Sequence, residues 1–293
     1  MSKLFQQYFF SNRLVTIPAS SYCEKARWAL QFSKVPFTEV GHAPILAYMY
    51  TLFYKTRSVP IFYASDTRRV YRDSTDIIDY AQRTQYDIYE ECSKEWMDIF
   101  DTRLGPHARR ATYYNLLIAC KNDEMAKSIM RTPLSSYFEK SLSTIFFPVM
   151  RRMLLQVMNI KELTAQYSWA HINEVCRKVE CRLGADEIGT VFLAGDKFGA
   201  ADLTFASHLA PLLFPPEWPL FYCLPGDIYG QFPTQVQRRL RDLRQRPAGQ
   251  FVLFCYANYR NKTGAELPPI EIRKEKWFAS RKLAQKMAKK QKK

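Results

Sequence analysis

The chain has 293 residues, 47% of them hydrophobic and 15% aromatic, enough to bury a sizeable core and to divide into two modest domains. Its formal net charge is +15, and more than half of the excess lies at one end: from Glu271 onward ten Lys and Arg face only Glu271 and Glu275, a net of +8. A membrane-spanning helix is excluded, because Arg151 and Arg152 cut the longest apolar run, Ile145 to Leu155, far short of the ~20 residues required. Seven cysteines (Cys23, Cys92, Cys120, Cys176, Cys181, Cys223, Cys255) are scattered. Only Cys176 and Cys181 approach ligand spacing, and no second Cys/His pair completes a tetrahedral set, so no metal is expected. They read as reduced thiols of an intracellular protein.

Residues 1–11 form an aromatic N-terminal arm without the small-residue cleavage site of a secretory leader. Arg13 to Ile17 is a short β-branched run stopped by Pro18, a strand. From Tyr22 to Phe32 the period becomes helical, with Ala26, Trp28 to Leu30 and Phe32 on the apolar side, Glu24, Lys25, Arg27 and Gln31 on the polar side, and Ser20 or Ser21 able to cap. Val35 to Val40 reads as a strand, Pro44 to Tyr54 as a helix, Val59 to Ala64 and Arg69 to Tyr71 as strands, and Ser74 to Gln82 as a helix. The order βαβ then ββα predicts one mixed four-stranded sheet, the thioredoxin-like arrangement, over residues 12–83. A linker at 84–89 leads to an all-α domain over 90–259, with helical patterns from Glu90 to Cys120, Pro133 to Asn159, Lys161 to Leu183 and Ala200 to Leu213. Residues 260–293 are a basic tail bearing Trp277 and Phe278, aromatics suited to docking on a body or partner.

One segment of the helical half is specific. In Phe192 to Leu203, Gly199 is placed as N-cap, Asp202 faces the free amides of the first helical turn, and Phe198 and Leu203 are spaced as a hydrophobic staple. Together with Ser20-Ser21-Tyr22-Cys23 opening a helix, Val59-Pro60 opening a strand and Asp73-Ser74 opening another helix, this resembles the glutathione transferase-like family over roughly Asn12 to Tyr259. Further strings, Tyr22 to Leu30, Arg72 to Ile77, Leu104 to Arg110 interrupted by Ala108, and Arg246 to Gly249, look like a bacterial and plant-type branch of it. The family usually has Ser or Thr where Gly199 stands, so the capping box is weaker here.

The resemblance implies glutathione as co-substrate and assigns roles residue by residue. Ser20 matches the hydroxyl that hydrogen-bonds the glutathione thiolate at a helix N-terminus. There, free amides and the positive end of the helix dipole lower a thiol pKa from its ordinary ~8.5. Cys23 falls at the second cysteine of a glutaredoxin-like pair whose first member is here Ser20. That removes dithiol exchange and leaves a monothiol role as an alternative. Val59-Pro60 matches the family's cis-proline, which offers the preceding backbone to an extended peptide. Asp73 and Ser74 match the acidic-Ser pair for the γ-glutamyl end. Ser21, Tyr22 and His42 complete the expected glutathione contacts, and His107 and Arg110, with neighbouring Arg109, are expected on the co-substrate side.

The expected function is thiol transfer from glutathione to an electrophilic or disulfide co-substrate. The alternative is a non-catalytic subunit or adaptor of the same fold in a larger, possibly mitochondrial, assembly reached through the basic tail. Family members usually dimerise, so a homodimer is the expected state. Nucleic-acid binding ranks last, since no base-stacking aromatics interleave with the basic residues. The expected address is cytoplasmic. The absence of acidic residues before Glu24 makes a mitochondrial presequence the alternative.

Overall fold

In a computed structural model of the chain, residues 11–56, 58–83, 92–120, 123–130, 141, 144–221, 224 and 227–260 are described. Most of the arm, the linker at 84–89, the first half of the helix expected from Pro133, and the basic tail beyond Arg260 lie outside them.

The first half is the mixed sheet expected from the sequence. Its strands are β1 (Arg13–Thr16), β2 (Thr38–Gly41), β3 (Ile61–Ala64) and β4 (Arg69–Tyr71), in the order β2-β1-β3-β4. β1 is parallel to β2 and antiparallel to β3, and β3 is antiparallel to β4. A parallel pair needs a crossover, supplied by helix α1 (Ser21–Phe32). Two bonds of Schellman type end α1: Val35 N–H to Leu30 O at 2.9 Å and Lys34 N–H to Gln31 O at 3.0 Å. Lys34 takes the left-handed conformation, φ 55°, that the motif requires, and buried Val35 supplies its apolar contact. Helices α2 (Pro44–Phe53) and α3 (Ser74–Gln82) complete this half.

The second half is helical. α4 (Ser93–Ile99) and α5 (Gly105–Tyr114) run on through a π-helical turn at Phe100–Leu104, and a second π turn, Asn115–Ala119, follows α5. Then come α6 (Asp123–Met130), α7 (Phe147–Val157), α8 (Glu162–Leu183), α9 (Ala200–Leu213), α10 (Thr234–Gln245) and α11 (Pro247–Cys255), closed by a π turn at Tyr256–Arg260. α9 is central, every residue being buried. Its start follows the expected pattern: Gly199 is the N-cap, and the Asp202 carboxylate accepts from the Gly199 and Leu193 amides, each at 2.9 Å. Phe198 does more than staple that turn. It packs on Trp28 and Phe32 of α1 and stacks on Tyr259 at 4.3 Å. The helical patterns read from the sequence end at Leu213; α10 beyond it buries only Leu240 and Leu243 along an Arg-rich face.

α1 departs most from the amphipathic reading. Glu24, Lys25, Arg27 and Gln31, expected on a solvated side, are all buried. A chain of opposite charges answers them. Arg27 binds Glu39 of β2 through two bonds, at 2.8 and 2.6 Å, and also contacts Glu24. Arg260 reaches Glu24 at 2.7 Å and Gln31 at 2.5 Å. Burial alone would raise the Glu24 carboxyl, but Arg260 and Arg27 outweigh it and hold it below the ordinary range. The four side chains Glu39, Arg27, Glu24 and Arg260 sum to zero charge, and they tie the sheet, α1 and the last turn together.

Arg260→Met leaves this chain one positive charge short, so stability falls by about 3–5 kcal/mol, the usual cost of stripping one partner from a buried ion pair. The double variant Glu24→Met/Arg260→Met restores neutrality and recovers part of that loss in urea unfolding. A double variant no more stable than Arg260→Met contradicts the charge accounting.

Candidate functional site

The sheet register brings distant parts of the sequence to one end of the sheet. Val15 pairs with Ile61, so the exit of β1 lies beside the entry of β3, and Pro60 stands level with Thr16 and the loop that carries Ser20. Thr16 pairs with Gly41, which places His42 just beyond the same end, its amide donating to the Thr16 carbonyl at 2.9 Å. Phe62 pairs with Tyr71, so the chain leaving β4 reaches Asp73 and Ser74 at the level of Pro60. The loop before α1, the cis Val59–Pro60 peptide and the start of α3 therefore face the same edge.

Around that edge, Ser20 is the N-cap of α1 and its hydroxyl makes no side-chain capping bond. Val59 is half-buried, Pro60 and His42 are buried, and Ser74 is buried at the first position of α3. Asp73 is the N-cap of α3, accepting from the Thr75 amide at 2.7 Å with one of its two oxygens. Beside the loop, Ile17, Pro18 and Ala19 line an apolar cavity of about 20 Å³ with Tyr113, Leu116 and Leu117, room for about one water.

Five of the expected site residues make contacts of their own within the protein. Cys23 is fully buried, and burial pushes its thiol up to about 12 against the opposing pull of Arg27, as for a thiol packed in the core. The Ser21 hydroxyl turns to the helical half, 3.0 Å from His208 Nδ1, and the Tyr22 hydroxyl donates to the Asp101 carbonyl at 2.8 Å. What Ser21 and Tyr22 offer the sheet end is their backbone amides, in the first turn of α1. His107 and Arg110 face α8: both meet the Ser168 hydroxyl at 3.2 Å, Arg110 also donates to the Met158 carbonyl, and His107 stacks on His171 at 4.3 Å. Three residues of helix turn the chain through about 300°, so positions 107 and 110 share one face, while 109, 113 and 116 share another. On that second face Arg109 lies over the Tyr22 ring at 5.8 Å, and Tyr113 and Leu116 line the cavity.

Sequence reasoning missed the helical half's own contribution. The Asp101 carboxylate accepts from Lys25 at 2.5 Å and from Thr75 at 3.1 Å, and pairs with His208 Nε2 at 2.9 Å. Burial would raise Asp101, but the hydrogen bond from His208 and the Lys25 charge hold it at about 2. Gly105 permits this closeness: a Cβ there would lie 2.5 Å from the Tyr22 hydroxyl and 2.8 Å from the His208 ring. One signal was available, since His208 is the lone histidine in the mostly apolar α9. Asp101 offered none, because its partners are far away in sequence.

Burial and the nearby His171 and Arg110 lower His107 to about 4 from its ordinary ~6.5. The unfolded chain thus takes up a proton in the window between those values while the folded chain does not. The contribution of His107 to stability is full above pH ~6.5 and is lost as pH drops toward 4, so His107→Gln makes the Tm-against-pH curve less steep on the acid side. An unchanged slope in the variant contradicts the assignment.

Among the described residues no helix is long and apolar enough to cross a membrane, and no group of three His, Cys, Asp or Glu is placed to hold a metal ion. A search of curated proteins finds no match. Residues 14–87 match the family described as Glutathione S-transferase, N-terminal domain. Among solved structures, the chain is similar to a glutathione S-transferase from Xanthobacter autotrophicus Py2 at 14% identity, covering 89% of this chain and 98% of that one, with a TM-score of 0.53. Glutathione transferase F2 from Populus trichocarpa is similar at 16% identity, with 84% and 99% covered and a TM-score of 0.48. A glutathione S-transferase from Methylobacillus flagellatus KT, solved with glutathione bound, stands at 13%, 83%, 98% and 0.43. The sheet register, the helical half and the similarity to the Xanthobacter protein agree: the chain has the glutathione transferase fold, a thioredoxin-like domain matching that family's N-terminal domain followed by an all-helical one.

Proposed function

We propose that this chain binds glutathione along the sheet end described above and presents its thiolate to an electrophilic or disulfide co-substrate. One observation carries the reading: the register brings the α1 N-terminus, cis-Pro60 and the α3 N-terminus to the same edge. An extended tripeptide lying across Pro60 pairs with the Val59 backbone. Its γ-glutamyl carboxylate meets the Ser74 hydroxyl and the free amides of α3, and its ammonium group meets the Asp73 oxygen not used in capping. Its sulfur lies against the Ser20 hydroxyl and the first amides of α1, where each unit of lowered thiol pKa corresponds to about 1.4 kcal/mol of preference for the thiolate. Arg109 and Tyr113, and not His107 and Arg110, then border the co-substrate.

A second reading, a non-catalytic subunit of a larger assembly, has its own observation. Of the large apolar side chains left exposed, Ile145, Phe146, Val149, Val157, Leu163 and Tyr167 all fall on α7, the residues before it and the start of α8. Such a concentration suits a protein partner.

Calorimetry with reduced glutathione separates the two. Wild type binds, and Ser74→Ala weakens binding roughly tenfold to a hundredfold, the cost of a hydrogen bond to a charged group. Wild type that takes up no glutathione at millimolar concentration, yet copurifies in a stoichiometric complex broken by Val149→Asp/Val157→Asp, supports the second reading against the first.

A further inference from the structure

Ser21, His208 and Asp101 form a hydrogen-bonded line, Oγ to Nδ1 at 3.0 Å and Nε2 to Oδ1 at 2.9 Å. These are the residue types of a hydrolytic triad. His208, however, is wholly buried and Ser21 only 8% exposed, so substrate has no route to them and their role is placement. The direction of each bond follows from its neighbours. Lys25 and Thr75 both donate to Asp101 Oδ2, so Asp101 is an ionised acceptor. His208 must then donate from Nε2, its Nδ1 accepts, and Ser21 donates.

The line does not stop at Asp101. Thr75 donates its hydroxyl to Asp101, receives a bond from Lys25 at 2.9 Å, and gives its amide to the Asp73 carboxylate at 2.7 Å. One unbroken path therefore runs from the first residue of α1, through α9 and the π turn, to the first turn of α3. Its two ends belong to the sheet domain, and its middle belongs to the helical domain. We propose that His208 and Asp101 are positioning residues of the glutathione site, bridging the two helix N-termini that grip the cysteinyl sulfur and the γ-glutamyl end of the tripeptide and fixing one against the other. This rests on the reading of the sheet end as a glutathione site. A thiolate held by α1 and a carboxylate held by α3 are joined by one short peptide, so a small shift between the helices is felt as lost affinity.

Hydrogen exchange and binding test the bridge separately. In His208→Gln, and independently in the milder Thr75→Val, segments 20–26 and 73–79 both exchange about tenfold faster, because each variant cuts the same path. A merely local role moves only the altered residue's own neighbourhood. Exchange that stays unchanged at 73–79 in His208→Gln and at 20–26 in Thr75→Val overturns the bridge, whether or not glutathione binds. His208 touches no ligand, yet His208→Gln weakens reduced glutathione about tenfold in calorimetry, and an unchanged affinity overturns the positioning role. Wild type that binds no glutathione overturns the glutathione reading, and with it the ligand assigned to this bridge, even where the exchange results hold.

Discussion

Helix α1 is enclosed on nearly every side, so each charge it carries has to be answered within the molecule. Glu24 and Arg27 are answered by Arg260 and Glu39, Lys25 by Asp101, and Gln31 by Arg260. Leaving any of them unpaired would cost several kcal/mol. The arrangement therefore specifies more than stability: it dictates which residues of β2, the π turn and the last turn stand against α1. The apolar side of the helix adds to this, with buried Trp28 packed between Phe198 and Tyr256 and its indole N–H directed at the Tyr259 carbonyl. Sheet domain and helical domain share one core through this helix.

That constraint positions the candidate site. The N-terminus of α1 opens at the sheet end where three strand exits and one strand entry converge. Because α1 is fixed along its whole length, its first amides point to a defined place. The π turn at Phe100–Leu104 widens the helix where Asp101 must reach Lys25, Thr75 and His208 at once and where the Asp101 carbonyl accepts from Tyr22. Such local widening of a helix is a recurrent feature of functional positions. Gly105 follows immediately, since any side chain there would collide with Tyr22 and His208.

Much of this was legible in the sequence where the information is local. Strand and helix periods, Pro18 and Pro60 as punctuation, and the Gly199–Asp202 turn each reflect neighbours a few residues apart, and the sheet order follows from them. Side-chain direction on buried helices was not legible. The pattern of α1 looked amphipathic because Glu24, Lys25 and Arg27 carry charge, and only partners such as Glu39, Asp101 and Arg260, remote in sequence, make their burial tolerable. His107 and Arg110 were set on the co-substrate side by their neighbourhood in the string. The helical turn sets Arg109 over the Tyr22 ring instead and directs the other two at Ser168. Ser21 stands next to Ser20, but consecutive residues at a helix start diverge by about 100°, and its hydroxyl meets His208.

In the proposed function the α1 N-terminus and Ser20 stabilise a bound thiolate. The ultraviolet absorbance of the glutathione thiolate, followed against pH with protein in excess, measures this directly. The bound thiol is expected to titrate about one unit or more below its ordinary ~8.5, and Ser20→Ala to move it back upward while binding persists. A bound thiol that titrates where free glutathione does, or one indifferent to Ser20→Ala, contradicts it.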